Sequence, residues 1–368
     1  MSGTSLDGID GVLLDFGPPD TTARPELLAH AHHAMAPALR DELLGLNSAT
    51  TDEVHRGALA ANALARAGAD VVEALLAQAQ LPRSAVAAIG SHGQTIRHRP
   101  GEFDRTGYTV QLDAPALLVE LTGIDVVADF RSRDVAAGGH GAPLVPAFHR
   151  AVFARPGVAL AVLNLGGMAN LTAVDADGST LGFDCGPANS LLDRWCESAT
   201  GRPFDAAGAW GATGHVDPRL LAALEAEPYF QRPAPKSTGR DLFNAAWLED
   251  RLAAGAAPGR LVPEDVQATL AELTARTCAD AFRRTASAPE LIICGGGAFN
   301  ADLMARLARL LAPLPVVSSG KRGWPPEQVE AAAFAWLARA FLRREPGNIA
   351  SVTGAGGPRV LGALYPAG

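Results

Sequence analysis

The chain has 368 residues, 48% hydrophobic and 19% charged, with a formal net charge of −8. At roughly 100 to 200 residues per domain this is material for two or three packed domains, and the acidic balance excludes a nucleic-acid surface built on clustered Lys and Arg. No apolar run reaches the roughly 18 residues of a membrane-spanning helix and no basic start leads into an apolar leader, so a cytoplasmic location is expected.

The first stretch is MSGTSLDGID, with Thr4 and Ser5 between Gly3 and Gly8 and the acids Asp7 and Asp10 close behind. Glycines let backbone N–H groups converge on an anion, hydroxyls add donors, and an acid can hold hydrated magnesium. It reads either as a phosphate-holding turn or as an ordinary turn at a strand end. The run GVLLDF from Gly11 is a strand. AHAHHAM, with His30, His32 and His33, has no acid or cysteine at ligand spacing, so no metal site is expected there. GALAANALARAGADVVEALLAQAQ from Gly57 is a helix. AVAAIGSHGQT from Ala85 is a strand that delivers His92, Gln94 and Thr95 on a glycine turn. IDVVADF from Ile124 is another, followed by Asp129, Arg131, Arg133 and Asp134. An Arg there either grips a carboxylate by paired hydrogen bonds or pairs with its neighbouring Asp. His140, between glycines, reads as structural.

ALAVLNLGG from Ala159 is a strand ending in a second glycine turn, NLGGMANLT. In GFDCGPANSLLDRWC, Asp184 ends a strand, Gly186 and Pro187 force a turn and Ala188 starts a helix. A carboxylate fixed at a strand end suits a general base, and the alternative is an Asp that caps the helix. Asp193, inside that helix, reads as surface. PAPKSTGRDLFN around Lys236 is a substrate lid or a capped helix entry, with the helix entry favoured. The helix VQATLAELTARTCADAFRR puts Val266, Leu270, Leu273 and Ala281 on one face. ELIICGGG from Glu290 is a strand ending in a third glycine turn, CGGGAFN, and an amphipathic helix follows whose N-terminus would face a ligand. QVEAAAFAWLARAFLRR is the last long helix, carrying Val329, Ala333, Trp336 and Ala340 on one face.

Strands alternating with helices predict an α/β fold with partly parallel sheets, and ligands in such folds sit where loops leave the carboxyl ends of strands. The P-loop and dinucleotide fingerprints do not occur, nor does the G-x-S-x-G elbow. Cys185, Cys196, Cys278 and Cys294 form no C-x-x-C pair, which points to reduced thiols rather than zinc or disulfides.

Taken together, MSGTSLDGID, GSHGQT, DFRSRDVAAGGHGAPLVPAFH, NLGGMANLT, GFDCGPAN, PAPKSTGRDLFN, DVQATLAELTA, CGGGAFN, EAAAFAWLA and SVTGAGGPRVLGALYP resemble the anhydro-N-acetylmuramic acid kinase family, in the family's order and over nearly the whole chain. The resemblance implies two actin-like (ribonuclease H-like) α/β domains with an ATP cleft between them, residues 1–131 with 350–368 forming one and 132–349 the other. It implies ATP and Mg²⁺ as cofactors. The first phosphate loop would be Gly3, Thr4, Ser5, Leu6, Asp7, Gly8, Ile9 and Asp10, with Asp7 reaching the metal through water. Asn164, Gly166, Gly167 and Asn170 would form the second, and Gly295, Gly296 and Gly297 the adenosine turn. Asp184 would be the base, and Gly93, Gln94, Arg131 and Glu330 would contact the sugar.

The family's reaction opens the bridge of 1,6-anhydro-N-acetylmuramic acid with water and ATP, giving N-acetylmuramic acid 6-phosphate and ADP in cell-wall recycling, and the family implies a homodimer. Alternatives are another sugar or acid kinase of the same superfamily and a non-catalytic ATP-binding sugar sensor. Two departures stand out: Cys185 replaces a Thr common in the family, and SSGKRGWPPEQ is unusually basic. Relatives also carry an apolar strand immediately before the first loop, so the resemblance leads to the expectation of a natural start several residues upstream, without which edge hydrogen bonds stay open and the loop is poorly anchored.

Overall fold

The computed structural model describes residues 1–3, 6–18, 24–239, 242–255 and 262–368. The apolar runs become strands in two units, one of Met1–Val152 with Gln328–Gly368 and the other of Phe153–Glu327.

In the first unit, β1 (Gly8–Asp15) pairs antiparallel with β2 (Glu26–Ala34). The helix Glu53–Ala79 covers one face of this ribbon, where Ile9 and Leu13 meet Leu64, Val71 and Leu75. It comes so close at Gly11 that a Cβ there would lie 2.3 Å from Val71. The expected strand from Ala85 shortens to β3 (Ile89–Gly90), because Arg83–Ala85 forms a 3₁₀ turn. A hairpin of β4 (Gln94–Pro100) and β5 (Gly107–Leu112) follows. Then comes β6 (Val126–Ala128), parallel to β3 and antiparallel to the strand Ala363–Tyr365. Between β1 and the segment 85–91 lies a cavity of about 690 Å³, walled by Leu64, Val72 and Leu76 on one side and Ala335, Ala338 and Leu342 on the other.

The second unit holds a five-stranded sheet built from β7 (Leu160–Leu165), β8 (Met168–Val174), β9 (Thr180–Pro187), β10 (Leu291–Cys294) and β11 (Val316–Ser318). β7, β8 and β9 form an antiparallel meander, while β10 runs parallel to both β7 and β11. Every residue of β7 is buried, as expected for a continuous apolar run with both faces covered. Leu163, Leu171, Phe183 and Ile293 line one face and meet Ala275 and Cys278 of the helix Pro263–Thr285. The same core takes Leu303, Leu307 and Leu311, spaced one turn apart on the helix Ala301–Leu311. That helix is capped by Asn300, whose Oδ1 accepts the Leu303 N–H at 2.9 Å.

The units divide at 152/153 and 327/328, not at the expected 131/132 and 349/350. Packing is the reason. The helix Val329–Leu342 belongs with the first unit, where Phe334 and Leu337 join Val127 and Phe130 in one cluster. Gly90 lies so close to that helix that a Cβ would sit 2.3 Å from the Phe334 carbonyl oxygen.

Candidate active site

In the second unit, strand register sets four positions in one row: Cys294 pairs with Asn164, Asn164 with Asn170, and Asn170 with Asp184. Cross-strand partners share a face, so the row lies opposite Leu163, Leu171 and Phe183. It sits at the carboxyl ends of the parallel strands β7 and β10, where α/β sheets present ligand sites.

The second glycine turn hangs from β7. Its carbonyls are taken by the start of the helix Asn189–Thr200: Gly166 O accepts the Asn189 N–H at 3.0 Å, and Gly167 O accepts N–H groups of Ala188 and Ser190 at 3.0 and 3.1 Å. Asn189 Nδ2 also donates to Leu165 O at 3.0 Å. Carbonyls bound inward give the orientation in which a turn's N–H groups face an anion. The third glycine turn packs directly on the same strand end. Gly295 has φ +79°, and a Cβ on it would lie 2.4 Å from Asn164 Oδ1, while one on Gly297 would lie 2.5 Å from Leu165 Cβ. Two glycine turns far apart in sequence are therefore neighbours here.

Asp184 does not cap the helix that follows, whose N-cap is Ala188. Instead Asp184 Oδ2 accepts the Thr238 N–H at 2.9 Å, its own N–H donates to Lys236 O at 3.1 Å, and its carbonyl accepts the Tyr229 hydroxyl at 2.8 Å. Asn170 pairs with Asp184 and Ala169 with Gly186, so Cys185 is the extra residue of a bulge, a device that re-aims side chains beside functional sites. Cys185 is buried with Phe183 in the core.

The expected sugar contacts gather in the first unit. Gln94 is buried and its Oε1 accepts the Ser2 hydroxyl. Gly93 turns at φ +68° with a would-be Cβ 2.5 Å from Leu112 O, a position only glycine fills without strain. Arg131 donates through Nε and Nη2 to His92 Nε2 at 3.0 and 2.9 Å, and through Nη1 to Gly141 O at 2.7 Å. His92 is packed 4.4 Å from the Phe334 ring. Burial, and then the Arg131 charge, hold this imidazole well below the usual histidine range, so it accepts from Arg131 as a neutral base. Burial pushes the Glu330 carboxyl up, Arg131 opposes that, and the charges of Asp10 and Asp7 reinforce it. These acids and Arg131 therefore share one neighbourhood.

The adjacent charged residues Arg133 and Asp134 take other partners. Arg133 Nη1 donates to Val360 O at 3.1 Å. The buried Asp134 carboxylate accepts from the Gly141 N–H at 2.7 Å, Asn348 Nδ2 at 2.6 Å and the Thr353 hydroxyl at 2.8 Å.

Of the first loop, Thr4 and Ser5 lie outside the described residues. Leu6 and Ile9 bury their side chains in the unit's core, the Leu6 N–H donates to Gly3 O at 3.3 Å, and Ile9 pairs with His33 across the β1–β2 ribbon. The loop is tied at its ends: the Asp10 N–H donates to Met1 O and the Met35 N–H to Asp7 O, both at 2.9 Å.

Sequence reasoning missed three groups. His32 stands opposite Asp10 in the β1–β2 register, with Nδ1 2.9 Å from Asp10 Oδ1. His92 supports Arg131. Tyr229, Lys236 and Thr238 support Asp184. GSHGQT and PKSTG stand out in sequence as polar turns, but neither shows these partners. Among the described residues no group of three His, Cys, Asp or Glu is arranged to ligate a metal directly, and no helix is long and apolar enough to cross a membrane.

The sequence model of one protein family, described as anhydro-N-acetylmuramic acid kinase, matches residues 1–367. The chain belongs to that family. Curated relatives with the same description include proteins of Albidiferax ferrireducens, 58% identical over 388 residues, and Variovorax paradoxus, 59% identical over 375, each match covering 100% of this chain and 98% of the relative. The protein of Bordetella petrii is 59% identical over 371 residues, covering 100% of this chain and 95% of its own. Likeness to solved structures is loose: an activator of a 2-hydroxyisocaproyl-CoA dehydratase from Clostridium difficile is 12% identical with a TM-score of 0.42, covering 86% of this chain and 90% of that one.

Proposed function

We propose that this member of the anhydro-N-acetylmuramic acid kinase family carries out the reaction of its name: with ATP and water it converts 1,6-anhydro-N-acetylmuramic acid to N-acetylmuramic acid 6-phosphate and ADP. The observation that carries the reading is Asp184: it stands inside β9, beside the bulge at Cys185, rather than at the expected strand end, and its carboxylate is in one register row with Asn170 and with Asn164, on whose strand end the third glycine turn packs.

In this reading Asp184 takes a proton from water as the water oxygen bonds to the anomeric carbon on the face opposite O6. The bond from that carbon to O6 breaks, O6 takes the γ-phosphoryl group, and ADP leaves. Glycosidases need a second carboxyl group to protonate the departing oxygen. Here the phosphoryl group takes that place, so one carboxylate suffices. The N–H groups of Gly166 and Gly167, with those of the first loop, offset the phosphate charge, and Gly295 to Gly297 border the adenosine.

Arg131 binds the sugar's lactyl carboxylate, and Gly93, Gln94 and Glu330 contact the rest of the sugar. Asp7 is a hard oxygen donor of the type Mg²⁺ prefers and would hold it through water beside the nucleotide phosphates. Mg²⁺ bound with ATP supplies charge neutralisation at the phosphates. A cytoplasmic homodimer completes the proposal, and sedimentation in solution tests its assembly.

The deciding assay incubates the chain with ATP, Mg²⁺ and the anhydro sugar and follows ADP and sugar phosphate together. Equal formation of both, dependent on the anhydro ring, is expected. ADP release that ignores the sugar sinks the reading.

A further inference from the structure

The stretch PAPKSTGRDLFN reads from sequence as a capped helix entry, and its last residue, Asn244, does cap the helix Ala245–Gly255, its Oδ1 accepting the Trp247 N–H at 3.0 Å, while Lys236 at its start has a different role. Lys236 is only 8% exposed. Its ammonium donates to the carbonyls of Tyr229 and Phe230 at 3.1 and 3.2 Å and lies 4.6 Å from the Tyr229 ring centroid. Burial pushes its pKa down. A buried ammonium satisfied by neutral carbonyls is costly to desolvate, and leucine or methionine would fill such a place more cheaply.

What the ammonium achieves is closure of a ring of contacts. Lys236 holds the turn Pro228–Gln231; Tyr229 of that turn gives its hydroxyl to the Asp184 carbonyl at 2.8 Å; and the Asp184 N–H returns to the Lys236 carbonyl at 3.1 Å. Thr238, two residues on, holds the carboxylate itself through its N–H at 2.9 Å. The backbone on both sides of Asp184 and one carboxylate oxygen thus depend on a strap pinned by the Lys236 ammonium, with Arg284 Nη2 adding a bond to the Phe230 carbonyl at 3.3 Å. Gly186 completes the fit, since a Cβ on it would sit 2.7 Å from the Phe230 ring.

We infer that Lys236, acting through Tyr229 and its own backbone, is a positioning residue for Asp184. It sets where the carboxylate stands relative to the attacking water and touches neither substrate. The inference rests on the proposed role of Asp184 as base. Misplacing a reacting group by about 1 Å costs on the order of 10²-fold in rate, so loss of the pin appears in turnover rather than in binding.

The test is a double-mutant cycle with steady-state kinetics, normalised to folded protein by circular dichroism. Lys236→Met is expected to lower kcat by about 10- to 100-fold with KM for ATP and sugar within about twofold. In an Asp184→Asn background it is expected to lower kcat no further, because residues that act as a unit are not additive. Tyr229→Phe, which removes one hydroxyl and keeps the ring, is the second variant and is expected to lower kcat with KM unchanged, whether or not Lys236→Met folds. Unchanged kcat in Tyr229→Phe, an effect confined to KM, or full additivity with Asp184→Asn overturns the inference. Near-normal turnover of Asp184→Asn alone overturns the parent reading instead.

Discussion

Gly295 approaches Asn164 so closely that a methyl group on it would lie 2.4 Å from the amide oxygen and 2.7 Å from the Leu165 carbonyl oxygen. This contact joins the third glycine turn to the second, and its φ of +79° is one that L side chains rarely adopt. Gly295→Ala is therefore expected to cost about 1 to 3 kcal/mol of stability through overpacking and strain, and to raise KM for ATP. Gly296 is the internal control. The nearest atom to a Cβ there is Asn189 Nδ2 at 3.7 Å, ordinary contact distance. Gly296→Ala is expected to melt within a few degrees of the parent, so any rise in its KM for ATP reports ligand contact alone. Equal melting temperatures for all three proteins would contradict the close approach.

The Asp184 backbone bonds to the Tyr229 hydroxyl and the Lys236 carbonyl, and its carboxylate accepts the Thr238 N–H. Asn at this position keeps an oxygen that can accept the Thr238 N–H, so Asp184→Asn is expected to keep the fold. What it loses is the proton acceptor, and turnover is expected to fall about 10²-fold or more, the usual scale for a positioned base. Parallel kcat and melting measurements check both halves; near-normal kcat removes Asp184 from the role.

Arg131 gives guanidinium N–H groups to His92 and Gly141. Its planar fork still suits a carboxylate, and hydrogen bonds to charged groups contribute roughly 1.5 to 3 kcal/mol. Arg131→Ala is expected to raise KM for the sugar by about 10- to 100-fold with KM for ATP within about twofold, by the same range of energies. Arg131→Lys recovers only part, because a point charge does not replace the fork. An unchanged sugar KM in Arg131→Ala would assign the lactyl carboxylate to another residue.

The glycine-ended strands and long helices were legible because buried apolar runs and glycine punctuation are local signals. That Asn164 and Gly295 come together was also within reach, since each closes such a run, but that β9 runs on past Asp184 to Pro187 was not. Register was not. Nothing in AHAHHAM shows that His32 stands opposite Asp10, because moving the pairing by one residue would turn that imidazole to the other face. The division between units failed for a related reason. EAAAFAWLA reads as an apolar helix whichever unit it covers, and only its packing with Val127 and Phe130 assigns it. Likewise, the hydrogen bonds from the Asp184 N–H to the Lys236 carbonyl and from the Tyr229 hydroxyl to the Asp184 carbonyl are long-range, and propensity carries no record of them.

Buried histidines make acid stability a separate test. His98 pairs through Nδ1 with the Thr109 hydroxyl at 2.9 Å, while its buried Nε2 has no partner among the described residues. Burial, helped by the charges of Arg131 and His140, pushes its pKa down to about 4 from the ordinary 6.5. The folded state thus refuses a proton that the unfolded chain binds below 6.5. The sign follows directly: above the ordinary value His98 adds no pH dependence, and as pH falls from 6.5 toward 4 it destabilises the fold by roughly 1.4 kcal/mol per pH unit at most. His149, pushed down to about 3 by burial alone, acts in the same direction. Glu330 acts oppositely, since a raised carboxyl favours the fold below the unfolded value and loses that contribution as pH rises from there through the raised folded one. His98→Gln removes one of the acid-sensitive groups and leaves the others in place. Its melting temperature is expected to fall less steeply than the parent's between pH 6.5 and 4, with the two curves parallel above pH 7. Curves that stay parallel across the whole range would show that His98 takes its proton in the fold as readily as in the unfolded chain.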